Sequence, residues 1–261
     1  MIEKTQAIVL RYYPFSNTSR VVSWLTVEEG RITTMIKGSQ RPKSGFLGQY
    51  DLFYTCELVY YRRPRSGMHI ARECSPIKQR NGLRTDWKAC AAASYLADLV
   101  SRISPPDAPH AELFSLLDAG LDHLSGGTAG SEFLHWFELK LLERLGLAPR
   151  LQHCLACNGA LRTGERRSRF SYARGGILCH ACSRTASESL LPIAADTVAI
   201  MTAWQRAQNA QAALSTRCTA RQLSDIENLL GLFLVYHLDV PLNSRPIALD
   251  IMARKVGANS A

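Results

Sequence analysis

The chain lacks the short signatures that mark phosphate-handling or hydrolytic enzymes. It contains no phosphate-binding P-loop, no His-Glu-x-x-His metal pair and no cluster of carboxylates set for acid–base work. An enzyme with a nucleic-acid-binding appendage is therefore disfavoured, and no catalytic residue is assigned. Long apolar runs and lipidation signals are missing too, and the first eighty residues hold no basic amphipathic helix, so no membrane association is expected. The opening Met1-Ile2-Glu3-Lys4-Thr5-Gln6 lacks the charged-then-apolar pattern of a secretory signal, and a cytoplasmic location is expected. In that reducing compartment eight cysteines read as buried hydrophobes, metal ligands or redox groups before they read as disulfides.

Acidic side chains are scarce early. Residues 1–80 carry 13 basic and 6 acidic groups, so +7 of the formal charge of +9 lies in the first third of the 261 residues. A one-sided positive field attracts polyanions, nucleic acid before an anionic membrane surface. Its centre is Lys37-Gly38-Ser39-Gln40-Arg41-Pro42-Lys43-Ser44, where Gly and Pro dictate a loop and small hydroxyl residues let main-chain amides approach an anion. The competing reading is a solvated surface loop, since a short run neutralises only a few phosphates.

That loop follows a β-rich stretch. Alternation and turn signals predict strands over Thr5 to Tyr12, Arg20 to Val27, Arg31 to Lys37, Asp51 to Arg62 and Met68 to Cys74, with Glu28-Glu29-Gly30 as a hairpin turn. Five short strands suit a small barrel of the OB type, which binds single strands through a basic groove with aromatic platforms; an SH3-like barrel fits almost as well. Among Tyr12, Tyr13, Phe15, Trp24, Tyr50, Phe53 and Tyr61, most are expected in the core. Tyr12, Tyr13 and Phe15, beside Arg11 and Pro14, are the candidates for exposure.

Beyond residue 80 the period becomes helical. Helices are predicted over Trp87 to Ile103, from Pro109 to Leu124, and from Ser131 toward a C-cap at Gly146; the apolar set of the third covers more than one face, as a buried helix requires. Further helices run from Ala194 to Gln208 and from Thr219 to Asp239, the latter opened by a Thr219-x-x-Gln222 capping box. The expected organisation is an α+β multidomain chain. It comprises an N-terminal OB-fold β-barrel (1–80), an α-helical domain in two parts (81–150 and 191–250), an inserted four-cysteine zinc motif (151–190) and a frayed tail (251–261).

The strongest chemical signal is Cys154-Leu155-Ala156-Cys157 followed, after 21 residues, by Cys179-His180-Ala181-Cys182. Each two-residue spacing lets a tight turn aim two sulfurs at one ion, and two such knuckles supply the four thiolates of a closed, structural Zn²⁺ site. A dithiol redox pair and a rubredoxin-like iron site are the competing readings. His153 and His180 adjoin the ligands and could replace a sulfur. Four thiolates around Zn²⁺ leave a formal charge of −2, which Arg162, Arg166, Arg167, Arg169, Arg174 and Arg184 could compensate; contact with DNA is their other possible role.

In this order the features resemble the bacterial RecO family of DNA repair and recombination mediators, along nearly the whole chain. Three passages carry the resemblance: Ala7-Ile8-Val9-Leu10-Arg11 through the hairpin to the Lys37–Ser44 loop, the paired-cysteine segment, and Tyr236-His237-Leu238 leading to Leu242-Asn243-Ser244-Arg245. The resemblance implies a non-enzymatic, nucleoid-associated protein that binds single- and double-stranded DNA and anneals complementary strands. It further implies association with RecR and with the acidic C-terminal tail of single-stranded DNA-binding protein, and help in loading RecA. Matching by position and charge, the implied DNA contacts are Arg11, Arg20, Arg31, Lys37, Arg41, Lys43, Arg62, Arg63 and Arg65. The family loop often carries a second basic residue where this chain has Gln40. A zinc-ribbon protein of transcription or structured RNA is the alternative, separable by RNA competition.

Overall fold

A computed structural model describes residues 1–63, 67–127, 130–161 and 168–254. The chain forms two compact units, Met1–Thr128 with Ser244–Ile251 and Ala129–Asn243 with Met252–Ala261. The expected frayed tail lies, from residue 255, outside the described residues.

In the first unit, five strands make a closed barrel: β1 (Ile2–Pro14), β2 (Arg20–Thr26), β3 (Gly30–Ile36), β4 (Thr55–Tyr61) and β5 (His69–Lys78). The order is β1-β2-β3-β5-β4, with β4 returning to β1 and β3 meeting β5 in parallel. This is the OB arrangement, which settles the choice against an SH3-like barrel. β1 serves both neighbours because it is long and bulged. Its register with β2 slips between Val9 and Arg11, and the extra residue bends the strand so that its first half pairs β4 while β2 follows it to Pro14. Ala7-Ile8-Val9-Leu10 is buried throughout. Ala7 and Val9 face the barrel core with Trp24, Leu58 and Tyr60, and the helix Trp87–Ile103 packs against the strand. Trp24 satisfies its indole N–H on the Thr34 hydroxyl, 2.9 Å away inside the core. At the β2–β3 turn Gly30 takes φ +65°, and a Cβ there would lie 1.9 Å from the Ala108 carbonyl oxygen, so only glycine fits.

Strand β4 starts four residues later than its alternation predicts. Phe53 adopts φ 66°, Tyr54 N–H closes on the Asp51 carbonyl (3.1 Å) and Phe53 N–H on that of Val9 (3.0 Å), so 51–54 is a turn. Strand β5 runs on past Cys74 because Pro76 falls beside a register slip, where a missing N–H is tolerated. The helices of this unit are α1 (Gly82–Thr85), α2 (Trp87–Ile103) and α3 (Ala111–Ser125). Asp86 caps α2 by accepting from the Lys88 and Ala89 amides.

The second unit opens with α4 (Ser131–Arg144), buried continuously from Phe133 to Leu142 and packed by the three helices that follow the ribbon. A ribbon follows: β6 (Arg169–Ser171), β7 (Gly176–Leu178), the single turn α5 (His180–Ser183) and β8 (Leu191–Pro192), with sheet order β7-β6-β8. Then come α6 (Ala195–Arg206), α7 (Ala210–Leu214) and α8 (Ala220–Leu238), whose capping box at Thr219 and Gln222 is formed. The ribbon docks on α8. Phe170 meets Phe233, Tyr172 meets Tyr236 edge-on, and His237 Nε2–H donates to the Tyr172 carbonyl at 2.7 Å. Last comes α9 (Ser244–Ala253), which carries the helical domain three residues into the segment expected to be a frayed tail.

Candidate metal centre and nucleic-acid interface

The four cysteines of the two knuckles converge. The sulfurs of Cys154, Cys157, Cys179 and Cys182 all lie within 4.8 Å of one another, and neither His153 nor His180 belongs to the cluster. The backbone dictates this. Cys154 N–H donates to the Gly159 carbonyl and Asn158 N–H to that of Cys154, closing the first knuckle at an Asn158 φ of 56°. Leu155 N–H then binds the Ile177 carbonyl at 2.8 Å, laying the knuckle on β7 just before Cys179. A tetrahedral ion with metal–sulfur distances of about 2.3 Å needs sulfurs roughly 3.8 Å apart, and Cys157 and Cys179 are 4.0 Å apart.

The proton chemistry agrees. Burial pushes the Cys154 thiol up, but amide donors from Cys157, Cys179 and Ala156 outweigh it and bring the pKa down to about 6. At Cys182 the neighbouring sulfurs of Cys179 and Cys157 push it up to about 12. One thiolate is favoured and a further one is resisted, so four thiolates together require a cation. The donor set fits a thiophilic metal in closed coordination.

The basic residues separate into two groups. Pro14 pairs with Arg20 and Arg20 with Ile36, so the ends of β1 and β3 and the start of β2 share one rim of the barrel. Lys37, Arg41 and Lys43 are exposed there, and no side-chain partner holds them among the described residues. Gln40 N–H donates to the Thr18 carbonyl (3.0 Å) and Gly38 N–H to the Ser19 hydroxyl (3.2 Å), which ties this loop to the β1–β2 loop. Tyr13, at the end of β1, and Phe15, in that neighbouring loop, are 50% and 56% exposed. Tyr12 differs from its expected exposure: it is half-buried, donates to Asp51, and lies under the Arg20 guanidinium at 4.6 Å. Trp24, Tyr50 and Phe53 are buried as expected, and Tyr61 is exposed.

The other candidates lie elsewhere. Arg31 donates to the Ser104 carbonyl at 3.1 Å, and Arg62 is bound to Glu29 at 2.8 Å, so both are occupied within the unit. Arg63 is exposed, its amide on His69 Nδ1. Arg11 is exposed past the bulge, beside Leu10, Phe53 and Asp98. Arg65, like Arg162, Arg166 and Arg167, lies outside the described residues. Arg84 was missed: it sits 5.3 Å over the Tyr54 ring, hydrogen-bonds its hydroxyl and pairs with Asp51, the acceptor of Tyr12. Only tertiary structure reveals it, because its partners lie 30 or more positions away.

A closed OB barrel with a basic rim, followed by a helical unit holding a four-cysteine cluster, defines the class as a mixed α+β protein of OB type. Comparison narrows it. Residues 1–80 match the family model described as recombination protein O N terminal, and residues 84–246 match recombination protein O C terminal. The DNA repair protein RecO of Anaeromyxobacter sp. (strain K) is 32% identical over 255 residues, 98% of each chain. That of Syntrophus aciditrophicus (strain SB) is 28% identical over 251 residues, 95% of each chain. That of Anaeromyxobacter sp. (strain Fw109-5) is 35% identical over 184 residues, 70% of this chain and 72% of the relative. The chain belongs to the RecO family, and its role lies in DNA repair and recombination. No helix among the described residues is long and apolar enough to cross a membrane.

Proposed function

We propose that this protein is a non-enzymatic recombination mediator: it binds single- and double-stranded DNA, anneals complementary strands, and acts with RecR and the acidic tail of single-stranded DNA-binding protein to help RecA load onto coated DNA. The observation that carries this reading is the gathering of Arg20, Lys37, Arg41 and Lys43 with exposed Tyr13 and Phe15 at one rim of the OB barrel. Cations neutralise phosphates that would otherwise repel, and aromatic rings stack on bases without choosing among them. Two strands can then approach and pair while the protein touches mainly backbone. The four cysteines hold structural Zn²⁺, with Cys154, Cys157, Cys179 and Cys182 as ligands; the ion fixes the ribbon and takes no part in strand exchange.

The test is annealing of complementary strands precoated with single-stranded DNA-binding protein, comparing the wild type with a Lys37→Ala, Arg41→Ala, Lys43→Ala variant across salt. With roughly four phosphates of a single strand held at the rim, the rim should contribute a log–log salt slope of about −3, and the variant should lose annealing. A folded, metal-loaded wild type that does not anneal, or whose binding ignores salt, would overturn the reading. RNA outcompeting DNA would favour the structured-RNA alternative.

A further inference from the structure

We propose that the four-cysteine unit carries a second phosphate-backbone site, a cavity lined by Arg169, Arg184 and Arg221 that holds a DNA strand independently of the barrel rim. The cavity, about 540 Å³, opens where β6, the end of α5, the start of α6 and the first turn of α8 meet. The inference rests on the reading of this chain as a DNA-binding protein.

Three other arginines of this unit are engaged: Arg174 faces Glu188 at 3.6 Å, Arg206 binds Gln152 at 3.0 Å and Arg150 binds Asn158 at 2.9 Å. By contrast, the side chains of Arg169, Arg184 and Arg221 are exposed and make no hydrogen bond or ion pair with the described residues. Three unpaired guanidiniums around one concavity repel one another, and an anion relieves that cost. The cysteine sulfurs do not use them. Sulfur is met by backbone amides instead, as where Cys179 N–H donates to Cys154 Sγ at 3.4 Å.

The remaining lining adds little charge. Ala194 stands at the N-cap of the 12-residue α6, and Asp196 in its first turn accepts the Thr197 amide at 2.9 Å and a Gln222 amide proton at 2.7 Å, so the field of the cavity is that of the arginines. Asp225, the one acidic residue in the lining, lies one turn beyond Arg221 and leaves it unpaired. Guanidiniums presented from three separate elements match an evenly charged phosphodiester chain running across them. The forked donors of arginine suit each phosphate in turn. A segment ending in a single carboxylate would engage one of the three.

The experiment measures anisotropy of a fluorescent oligothymidylate with the full-length, metal-loaded protein across salt. Four variants are compared: Arg169→Ala, Arg184→Ala, Arg221→Ala together; Asp225→Asn; the barrel triple at Lys37, Arg41 and Lys43; and the two triples combined. Losing three phosphate contacts should flatten the log–log salt slope by about 2, and should do so equally in the barrel-triple background. Asp225→Asn should tighten binding roughly threefold at low salt, the effect of one screened like charge a few ångströms from a phosphate. That second variant decides the matter if the arginine triple fails to fold, because unchanged affinity in Asp225→Asn overturns the site.

The two readings fail separately. Binding weakened by the barrel triple but untouched by both cavity variants overturns the cavity and leaves the rim; the converse leaves the cavity and removes the rim. If the cavity variants change only the capture of a labelled Asp/Glu-rich peptide, the surface docks an acidic protein segment and the proposal falls.

Discussion

Among single residues, Arg80 meets the heaviest polar demand. Its side chain is 2% exposed, and it donates to the Phe53 carbonyl (2.6 Å), the Thr55 hydroxyl (2.9 Å), Asp118 (2.6 Å) and Asp122 (2.7 Å). Lys78 completes the network on the same two carboxylates. Burial alone would raise the Asp118 pKa, but hydrogen bonds from Lys78, Thr55 and Arg80 outweigh it and hold the carboxyl below its ordinary range. The native state therefore binds this proton less readily than the unfolded chain does. The stability so gained is complete above the unfolded value of about 3.9 and is lost as pH falls through the depressed native value. Arg80→Met should cost about 3–5 kcal/mol near neutrality, since it takes the buried cation from Asp118, leaving Lys78 as its one charged partner, and strands the Phe53 carbonyl. That cost should shrink as pH falls from about 4 through the depressed native value, because Asp118 protonates first in the variant and last in the wild type. Urea unfolding at pH 7 and pH 3 checks it, and an equal penalty at both would contradict the ionic account.

Elements were legible where local chemistry sets them and obscure where distant chain does. Trp87–Ile103 was readable to the residue because Asp86 caps it and alanines and leucines fill it. The Thr219 box was equally plain, its reciprocal bonds formed within four residues. Thr219→Ala should destabilise the second unit by about 1 kcal/mol, seen in denaturant unfolding, while Thr219→Ser should leave it nearly unchanged. Helix α9 has no local signal of its own, because Asn243-Ser244-Arg245-Pro246 has the composition of a turn, although proline in a first turn sacrifices no intrahelical bond. Strands β6, β7 and β8, two or three residues each, are too short for alternation to register. The cysteine cluster was legible from spacing alone. The basic surface was legible only in part, because Arg31 finds Ser104 73 positions away and Arg62 finds Glu29 33 positions away, and no local pattern announces either pairing.

At the scale of the whole chain, the formal charge of +9 and the four cysteines act on different parts of the protein. The barrel owes its order to a continuous apolar core around Trp24, Leu58 and Tyr60. The ribbon has only short strands, so its order depends on what binds its sulfurs. Chelation should therefore act unevenly: amides such as Leu155 and Cys179, which meet the Ile177 carbonyl and Cys154 Sγ, should lose hydrogen-exchange protection by a hundredfold or more, corresponding to about 3 kcal/mol of local stability. Amides of the β1–β2 ladder should keep theirs. Reloading with Zn²⁺ at pH 7 should release protons, because Cys182 holds its own to about 12 until a cation displaces it. Titration calorimetry in buffers of different ionisation enthalpy reads that release directly. Protection lost uniformly across both units, or binding without proton release, would mean that the cysteine cluster does not organise the ribbon as a thiolate metal site.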